Sequence, residues 1–257
     1  MVYCKGTVPR LAGQVVLITG AAGDLGWAIA QQSLLEGASV ALCDYAADLL
    51  DERGAPNDGR ILRICCDISV EEQSRSAVEQ VLERWGRLDA LVNNAAVVTP
   101  VGKVGDLSLD HWRRAMDVNL TGAWLMSKWA INAMRCCAGG GVIINVASQL
   151  GSVVAPGRGA YGATKAGLIA LTRAIAVDHA DEGIRAVSLS PGAVLTSRIT
   201  RHYGGEDGAI QALAHLYPAG RLGTAEEIAR IAVFLMGSDA AFITGTDVRA
   251  DGGYTAV

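Results

Sequence analysis

Short apolar runs rich in β-branched residues alternate with amphipathic stretches along the chain. The apolar runs predict buried strands, because strands covered on both faces read as continuous hydrophobic segments. They cover residues 14–19, 39–43, 60–66, 88–93, 142–147, 184–190 and 246–250. Apolar side chains at helical spacing predict helices that end at 36, include 77–85, span 108–135, begin near 161 and span 225–236. This alternation predicts an α/β fold, with a doubly wound, seven-stranded parallel sheet and helices on both faces.

Residues 192–223 follow neither period and contain glycine pairs and charges of both signs. We expect an irregular substrate-binding loop or lid there, because long unpatterned segments in compact α/β domains usually bind ligands at the carboxyl ends of the strands. No linker, low-complexity tract or internal repeat interrupts the remaining pattern. Residues 1–257 are therefore predicted to form one domain.

A glycine-rich stretch, Thr19-Gly-Ala-Ala-Gly-Asp-Leu-Gly26, lies between the first strand and the first helix. Its glycines allow the backbone to approach a pyrophosphate, and the helix start supplies amide donors, although an ordinary tight turn has the same composition. Asp44 ends the second strand, where a carboxylate accepts hydrogen bonds from both hydroxyls of an adenosine ribose. It would also repel a 2′-phosphate. No lysine or arginine stands in the glycine loop or next to Asp44 in sequence, so NAD is predicted over NADP.

Three groups suited to proton chemistry follow the fifth strand: the Ser148 hydroxyl, the Tyr161 phenol and the Lys165 ammonium. On the predicted helix, Tyr161 and Lys165 are four residues apart and therefore neighbours on one face. The ammonium is expected to favour the phenolate and to lower the pKa of Tyr161 toward the working range. Ser148 is expected to donate to the same substrate oxygen. The spacing alone is weak, since it also occurs in ordinary helices.

Composition excludes several classes of protein. Hydrophobic residues make up 51% of the chain and charged residues 19%, which argues against disorder. The net charge of −4 offers no basic surface for nucleic acid. We expect no membrane span and a cytoplasmic location, because no apolar run reaches the required ~18 residues. Neither the histidines nor the cysteines show metal spacing, so no metal site is predicted. The cysteines are expected to be small, buried and reduced: Cys4, Cys43, Cys65, Cys66, Cys136 and Cys137.

Together these motifs resemble the short-chain dehydrogenase/reductase family over nearly the whole chain. Further shared motifs are Asp67 after the third strand, the run 93–96 (Asn-Asn-Ala-Ala) after the fourth, and Pro191-Gly192 before Thr196. The resemblance implies a Rossmann fold and a catalytic set of Asn119, Ser148, Tyr161 and Lys165. It also implies a coenzyme-binding set: Gly20, Gly23, Asp24, Leu25, Gly26, Asp44, Asp67, Ile68, Asn94, Ala95, Tyr161, Lys165, Pro191, Gly192, Val194 and Thr196.

Two positions depart from the family pattern. Asp24 replaces the usual middle glycine of the loop, and Ala96 replaces the final glycine of Asn-Asn-Ala-Gly. Asp24 is expected to cap the following helix, where a carboxylate is favourable, although it would also stand near the pyrophosphate. Ala96 is expected to need only a small local adjustment.

The resemblance implies hydride transfer between nicotinamide and a secondary alcohol or ketone. Tyr161 would exchange the proton, and Lys165 would bind the nicotinamide ribose. Asn119 would interrupt its helix and hold a water in a proton relay. The family also implies a homo-oligomer, either a tetramer or a dimer. Val98 and the segment 198–217 are expected to shape the substrate pocket. The substrate-binding candidates are Ser148, Gln149, Arg158, Tyr161 and His202.

Hydrogen-bonding groups in that pocket favour a small polar substrate, such as a polyol, a sugar or a hydroxy acid. One alternative is an NADPH-dependent carbonyl or 3-oxoacyl reductase on the same fold, which Asp44 disfavours. Another is a non-catalytic nucleotide sensor or scaffold, which would not need the four catalytic residues. An epimerase or dehydratase that uses NAD transiently is a third. The sequence leaves open the individual substrate, the physiological direction and the role of Asp24.

Overall fold

A parallel seven-stranded sheet forms the centre of the computed structural model, which describes residues 9–53, 59–136 and 140–257. The strand order is β3-β2-β1-β4-β5-β6-β9, so the direction of winding reverses between β1 and β4. All seven predicted strands are confirmed, with ends within two residues of those predicted. The strands of the large sheet are β1 (Val15–Thr19), β2 (Ser39–Asp44), β3 (Ile61–Cys65), β4 (Ala90–Asn93), β5 (Gly141–Val146), β6 (Ile184–Pro191) and β9 (Asp247–Ala250).

Helices cover both faces of this sheet. One face packs against α1 and α9, and the other against α3, α5 and α6, each through its own apolar cluster. Adjacent strand residues divide between the clusters: Val16 and Ile18 face one layer, Val15 and Leu17 the other. The helices are α1 (Asp24–Leu35), α2 (Ala47–Glu52), α3 (Glu71–Trp85), α4 (Leu109–Met116), α5 (Ala123–Arg135), α6 (Gly159–Asp178), α7 (Ser197–His202), α8 (Glu206–Leu213) and α9 (Ala225–Met236).

The long helix predicted over residues 108–135 is divided into three parts. Between α4 and α5 lies a π-helical turn, Asp117–Gly122, that contains Asn119. The local interruption implied by the family resemblance is therefore present. A π turn shifts the helical register, so side chains before and after it point in different directions. Asn119 consequently points toward the loop after β4 and toward α6.

The irregular structure expected for residues 192–223 was wrong, whereas their role as a substrate-binding segment stays a prediction. They contain a short strand, β7 (Val194–Leu195), followed by α7 and α8; β7 pairs with β8 (Gly223–Thr224). Gly204 and Gly205 have φ angles of +75° and +130° and form the turn between the two helices. The prediction failed because α7 is only six residues long, too short to show a helical period.

The described ranges also bear on the cysteines, on membrane-spanning helices and on metal-binding clusters. Cys43 and Cys66 are buried thiols, whereas Cys65 and Cys136 are exposed, so burial was wrongly predicted for the latter two. Cys4 and Cys137 lie outside the described residues. In the part of the chain that the structure describes, no helix is long and apolar enough to cross a bilayer. The same ranges contain no cluster of His, Cys, Asp or Glu residues arranged to hold a metal ion.

Candidate active site

An open cleft of about 1600 Å³ lies at the carboxyl ends of the strands. It includes the point between β1 and β4 where the winding reverses, which is where open α/β sheets bind ligands. Asn119 lies behind the cleft wall, whereas the other predicted site residues line the cleft. Those residues are Gly20, Gly23, Asp24, Leu25, Gly26, Asp44, Asp67, Ile68, Asn94, Ala95, Ser148, Gln149, Arg158, Tyr161, Lys165, Pro191, Gly192, Val194, Thr196 and His202.

The glycine loop is shaped by its contact with the end of β4. Gly20 has a φ of +65°, and a Cβ there would lie 2.7 Å from the Ala95 Cα. A Cβ on Gly26 would overlap the Gly20 carbonyl oxygen. Asn94 Nδ2 donates to the carbonyls of Thr19 and Gly20, at 3.0 and 3.1 Å. Both glycines are therefore required by the packing of the chain itself, because larger residues would force the loop away from β4.

Two features at this end of the cleft suit a dinucleotide. No side chain caps the first turn of α1, which begins after Gly23, so its amides are available to an anion. The buried Asp44 carboxylate accepts from the amides of Ala22 and Ala46, at 3.0 and 3.1 Å. Each of these oxygens keeps a lone pair for a further donor, such as a ribose hydroxyl. Asp67 lies farther along, where its Oδ1 accepts from the Ser69 hydroxyl at 2.6 Å.

Asp24 does not cap α1, so that expectation was wrong. It is the first residue of the helix, and its carboxylate accepts a hydrogen bond from the Ser197 amide at the start of α7. Its other oxygen contacts the Arg53 guanidinium at 3.2 Å. Burial raises the pKa of Asp24, but the hydrogen bonds from Ser197 and Arg53 outweigh burial and hold it below the usual value. Asp24 therefore links the glycine loop to the start of α7.

Arg53 is a cation that sequence reasoning missed at the coenzyme end. Its guanidinium Nε donates to the Ala22 carbonyl at 3.0 Å, so it lies directly against the glycine loop. The sequence places no basic residue beside this loop because Arg53 follows α2, far along the chain from Ala22. Its charge is partly compensated by Asp24.

Substituting Asp24→Ala is expected to loosen the start of α7. A hydrogen bond to a charged group contributes roughly 1.5–3 kcal/mol, so we expect the Ser197 amide to exchange its hydrogen about tenfold faster or more. Hydrogen exchange followed by mass spectrometry measures this, with the amides of α8 as the internal control. Unchanged exchange at Ser197 would show that Asp24 does not hold α7.

The groups suited to proton chemistry lie together deeper in the cleft. Ser148 follows β5, and its Oγ accepts from the Leu150 amide at 3.2 Å. Tyr161 lies in the first turn of α6, with its phenol against the Ser148 hydroxyl. Lys165, one turn later, is 2% exposed and donates from Nζ to the Val146 carbonyl at 2.6 Å. Its Nζ is 5.7 Å from the centroid of the Tyr161 ring.

Burial controls the proton affinities of this group. It lowers the pKa of Lys165 to about 7, with a smaller contribution from the positive charge of Arg198. It also raises the pKa of Tyr161, and the opposing effects of Ser148, Arg198 and Arg158 do not compensate. The expected lowering of the Tyr161 pKa is therefore not found. The reason is that the Tyr161 phenol is itself buried, and desolvation disfavours the charged phenolate more strongly than the nearby groups favour it.

Asn119 uses its side chain within the protein. Its Oδ1 accepts from the Val97 amide at 2.7 Å, and its Nδ2 donates to the Val97 carbonyl at 2.9 Å and to Thr164 Oγ1 at 3.2 Å. Thr164 in turn donates to the Tyr161 carbonyl at 2.8 Å. Asn119 thus connects the loop after β4 to the first turn of α6. Its role in a water-mediated proton relay stays a prediction.

Gln149 and Tyr217 form the wall beside Ser148. Gln149 is buried, and its Nε2 donates to the Tyr217 hydroxyl at 3.1 Å; the same hydroxyl accepts from the Ala193 amide at 2.8 Å. Gln149 Oε1 is buried without a hydrogen-bond partner, so the amide has capacity for a ligand. Tyr254, which sequence reasoning missed, packs on Tyr217 with ring centroids 5.1 Å apart. His202 is exposed at the rim.

Comparison with known proteins agrees with this geometry. Residues 20–255 match the family model described as enoyl-(acyl carrier protein) reductase. The chain is 36% identical to 2,5-dichloro-2,5-cyclohexadiene-1,4-diol dehydrogenase of Sphingobium indicum, over 96% of this chain and 99% of that protein. It belongs to the short-chain dehydrogenase/reductase family.

Two further members of this family resemble the chain over almost its full length. One is the NAD-dependent glycerol dehydrogenase of Listeria innocua, which is 34% identical over 96% of this chain and 95% of that protein. The other is a short-chain type dehydrogenase/reductase from Mycobacterium marinum, whose crystal structure matches with a TM-score of 0.89 and 32% identity, over 97% of this chain and 98% of that chain. The named dehydrogenases support oxidoreductase activity on an alcohol.

The sequence also did not predict that Arg198 lies near the catalytic groups of this short-chain dehydrogenase/reductase. Its guanidinium lines the cleft, donates to the Ala96 carbonyl at 3.2 Å and acts electrostatically on both Tyr161 and Lys165. The sequence places it only within a pocket-shaping segment. Its position follows from β7 and α7, which the hydrophobic pattern does not show. The Ala96 carbonyl serves as the acceptor for Arg198, and the small adjustment expected for the Ala96 methyl group stays a prediction.

Proposed function

We propose that the protein is an NAD-dependent oxidoreductase that interconverts a small polar secondary alcohol and its ketone. The observation that carries the proposal is the shared cleft: Ser148, Tyr161 and Lys165 line the same cavity as the glycine loop and Asp44. A nucleotide-binding surface and a proton-exchanging group thus face one space. A sensor or scaffold would need only the nucleotide-binding surface.

The residues at the coenzyme end fit a dinucleotide. The uncapped amides of α1 would bind the pyrophosphate, and Asp44 would accept from the adenosine ribose hydroxyls. Asp67 and Ile68 would border the adenine, and Lys165 would bind the nicotinamide ribose. The coenzyme, when bound, supplies the acceptor for the hydride removed from the alcohol. Pro191, Gly192, Val194 and Thr196 would border the nicotinamide.

The protein's part in the reaction is to bind the alcohol and to move its proton. During oxidation the substrate hydroxyl loses its proton to Tyr161 Oη, while the Ser148 hydroxyl donates to the same oxygen. Tyr161 needs help to become a phenolate, because burial raises its pKa. The charges of Arg198 and Arg158 oppose that effect. In the reverse direction, Tyr161 returns the proton to the carbonyl oxygen.

NAD is proposed over NADP because Asp44 would repel a 2′-phosphate, and the relative from Listeria innocua is named as NAD-dependent. Arg53 is the observation that favours the runner-up, an NADPH-dependent carbonyl or 3-oxoacyl reductase, since it adds a cation beside the loop. Its contacts with Asp24 and Ala22 weaken that case.

Substituting Asp44→Asn is expected to reduce the preference for NAD over NADP. Removing the charge weakens the hydrogen bonds to the ribose and the repulsion of a 2′-phosphate, so the ratio of the two kcat/KM values should fall by roughly tenfold or more. Steady-state rates with each coenzyme measure it. Asp48→Asn, an exposed neighbour on α2, is the control and should leave the ratio unchanged. A wild-type preference for NADP would contradict the role given to Asp44.

The experiment that tests the function itself is nicotinamide reduction against a panel of polyols, aldoses, hydroxy acids and cyclic secondary alcohols. Reduction of NAD by one group of substrates supports the proposal. Clear binding of NAD without reduction by any compound would favour the sensor or scaffold.

We also propose a homo-oligomer, supported by the exposed Trp112 and Trp124 on α4 and α5. The cytoplasmic location stays a prediction.

A further inference from the structure

Two arginines stand beside the reactive phenol at the substrate end of the cleft. Arg158 immediately precedes α6, the helix that carries Tyr161, and Arg198 lies in α7. Both line the cleft, and both positive charges act on the Tyr161 phenol. They stand on different elements, one at the start of α6 and the other in α7. A ligand at Tyr161 would therefore meet positive charge from both elements.

Neither guanidinium has an acidic partner within the described ranges. Arg198 donates to the Ala96 carbonyl at 3.2 Å, a neutral acceptor that leaves its charge uncompensated. The Arg158 side chain forms no hydrogen bond or ion pair with any described residue. Surface arginines elsewhere differ: Arg135 contacts Glu182 at 2.7 Å, and Arg221 contacts Glu227 at 2.7 Å.

Three carboxylates at the coenzyme end, those of Asp24, Asp44 and Asp67, already accept hydrogen bonds within the protein. Asp24 contacts Arg53, Asp44 accepts from backbone amides, and Asp67 accepts from Ser69. Asp110 and Asp117 also line the cleft, and Arg113 and Arg114, which line it with them, match them in number. The substrate end therefore carries an excess of positive charge close to Tyr161.

A carboxylate is the group that best fits two such guanidinium groups. Arginine presents its donors in a planar fork that matches the two oxygens of a carboxylate, and charge-assisted bonds of this kind are about twice as strong as neutral ones. We propose that the substrate is an anionic hydroxy acid, whose carboxylate is bound by Arg158 and Arg198 while its hydroxyl lies at Ser148 and Tyr161. This inference rests on the proposed function and selects one class among polyols, sugars and hydroxy acids.

The test compares each acid with its neutral carboxamide: 3-hydroxybutanoate, 4-hydroxypentanoate and 4-hydroxycyclohexanecarboxylate, with saturating coenzyme. We expect the wild type to prefer at least one acid over its amide by about tenfold or more in kcat/KM, since a charged hydrogen bond contributes roughly 1.5–3 kcal/mol. Arg158→Gln and Arg198→Gln should each reduce that preference by about tenfold, mainly through the KM of the acid. Added salt should raise the KM of the acid more than that of the amide.

The ratio of acid to amide is the decisive quantity, because Arg198→Gln also removes a charge that acts on Tyr161 and Lys165. That effect changes both rates alike at a fixed pH and cancels in the ratio. Arg173→Gln is the matched control: Arg173 is exposed on α6, outside the cleft lining, and its variant should keep the wild-type ratio.

Equal kcat/KM values for every acid and its amide in the wild type would overturn the inference while leaving the proposed function intact. Equal loss on acid and amide in both arginine variants would overturn it as well. A failure of the proposed function has a different signature, namely no nicotinamide reduction by any compound. Calorimetry with the same acids then measures their binding to the anion site independently of turnover. Binding that weakens in Arg158→Gln and Arg198→Gln would support that site, and no binding would overturn it.

Discussion

Replacing Tyr161 with phenylalanine is expected to lower kcat by about a thousandfold, within the range that general acid–base groups contribute. The phenol is the group against which Ser148 lies and on which both arginines act, so it is placed to exchange the proton of the substrate hydroxyl. The aromatic ring remains in the variant, and the glycine loop and Asp44 are untouched. The Kd of NAD should therefore stay within about twofold of the wild-type value.

Steady-state kinetics and a fluorescence titration with NAD measure the two quantities. Tyr45→Phe removes the hydroxyl of an exposed tyrosine at the coenzyme end of the cleft and should leave kcat unchanged. Loss of both turnover and coenzyme binding in Tyr161→Phe would contradict the role given to this residue, because it would indicate a general structural defect. Retention of most of the turnover would also contradict that role, because it would show that the phenol is not needed for proton exchange.

Lys165→Met is expected to stabilise the coenzyme-free protein at neutral pH while it abolishes turnover. Burial lowers the pKa of Lys165 to about 7, against about 10.4 for an exposed lysine. Below pH 7, folding must bury the charged ammonium, which costs roughly 3–5 kcal/mol by linkage. Methionine has a similar length and no charge, although it leaves the Val146 carbonyl without its donor. A net gain of roughly 3 kcal/mol corresponds to a rise of several degrees in Tm.

The pH dependence distinguishes this cause from better packing. Between pH 7 and about 10.4 the unfolded chain binds a proton that the folded chain lacks, so the stability of the wild type rises with pH in that window. The advantage of Lys165→Met should therefore be largest at or below pH 7 and disappear toward pH 10. Lys103→Met, at an exposed lysine, is the control and should leave Tm unchanged. Destabilisation of Lys165→Met at every pH would contradict the account.

The sheet was predictable because each of its strands is a local signal. Strands buried on both faces must be continuously apolar, and β1, β2 and β5 are buried along almost their whole length. The position of the cleft followed from the same pattern, since the carboxyl ends of parallel strands meet at one edge. The residues that directly follow β1, β2, β4 and β5 were therefore expected in one place, and the structure brings them there.

The features that the sequence did not predict depend on contacts between segments that are far apart along the chain. The partner of Asp24 at the start of α7 is 173 residues away along the chain, and that of the Ala22 carbonyl, Arg53, is 31 residues away. No local pattern encodes such contacts. The pKa of Tyr161 was also missed for a tertiary reason. The spacing of Tyr161 and Lys165 shows that they are neighbours, but only the folded structure shows how deeply the phenol itself is buried. That burial has the largest effect on the pKa of Tyr161 and raises it, against the expected lowering.

The most direct test of the central claim is the fate of the hydrogen on the carbinol carbon. The protein is incubated with NAD and a substrate from the panel that carries deuterium at that carbon, and the reduced coenzyme is analysed by mass spectrometry. We expect deuterium in the reduced nicotinamide with the wild type, formed about a thousandfold more slowly with Tyr161→Phe. Reduced nicotinamide without deuterium, or bound NAD that no alcohol reduces, would contradict the assignment of this cleft as a dehydrogenase active site.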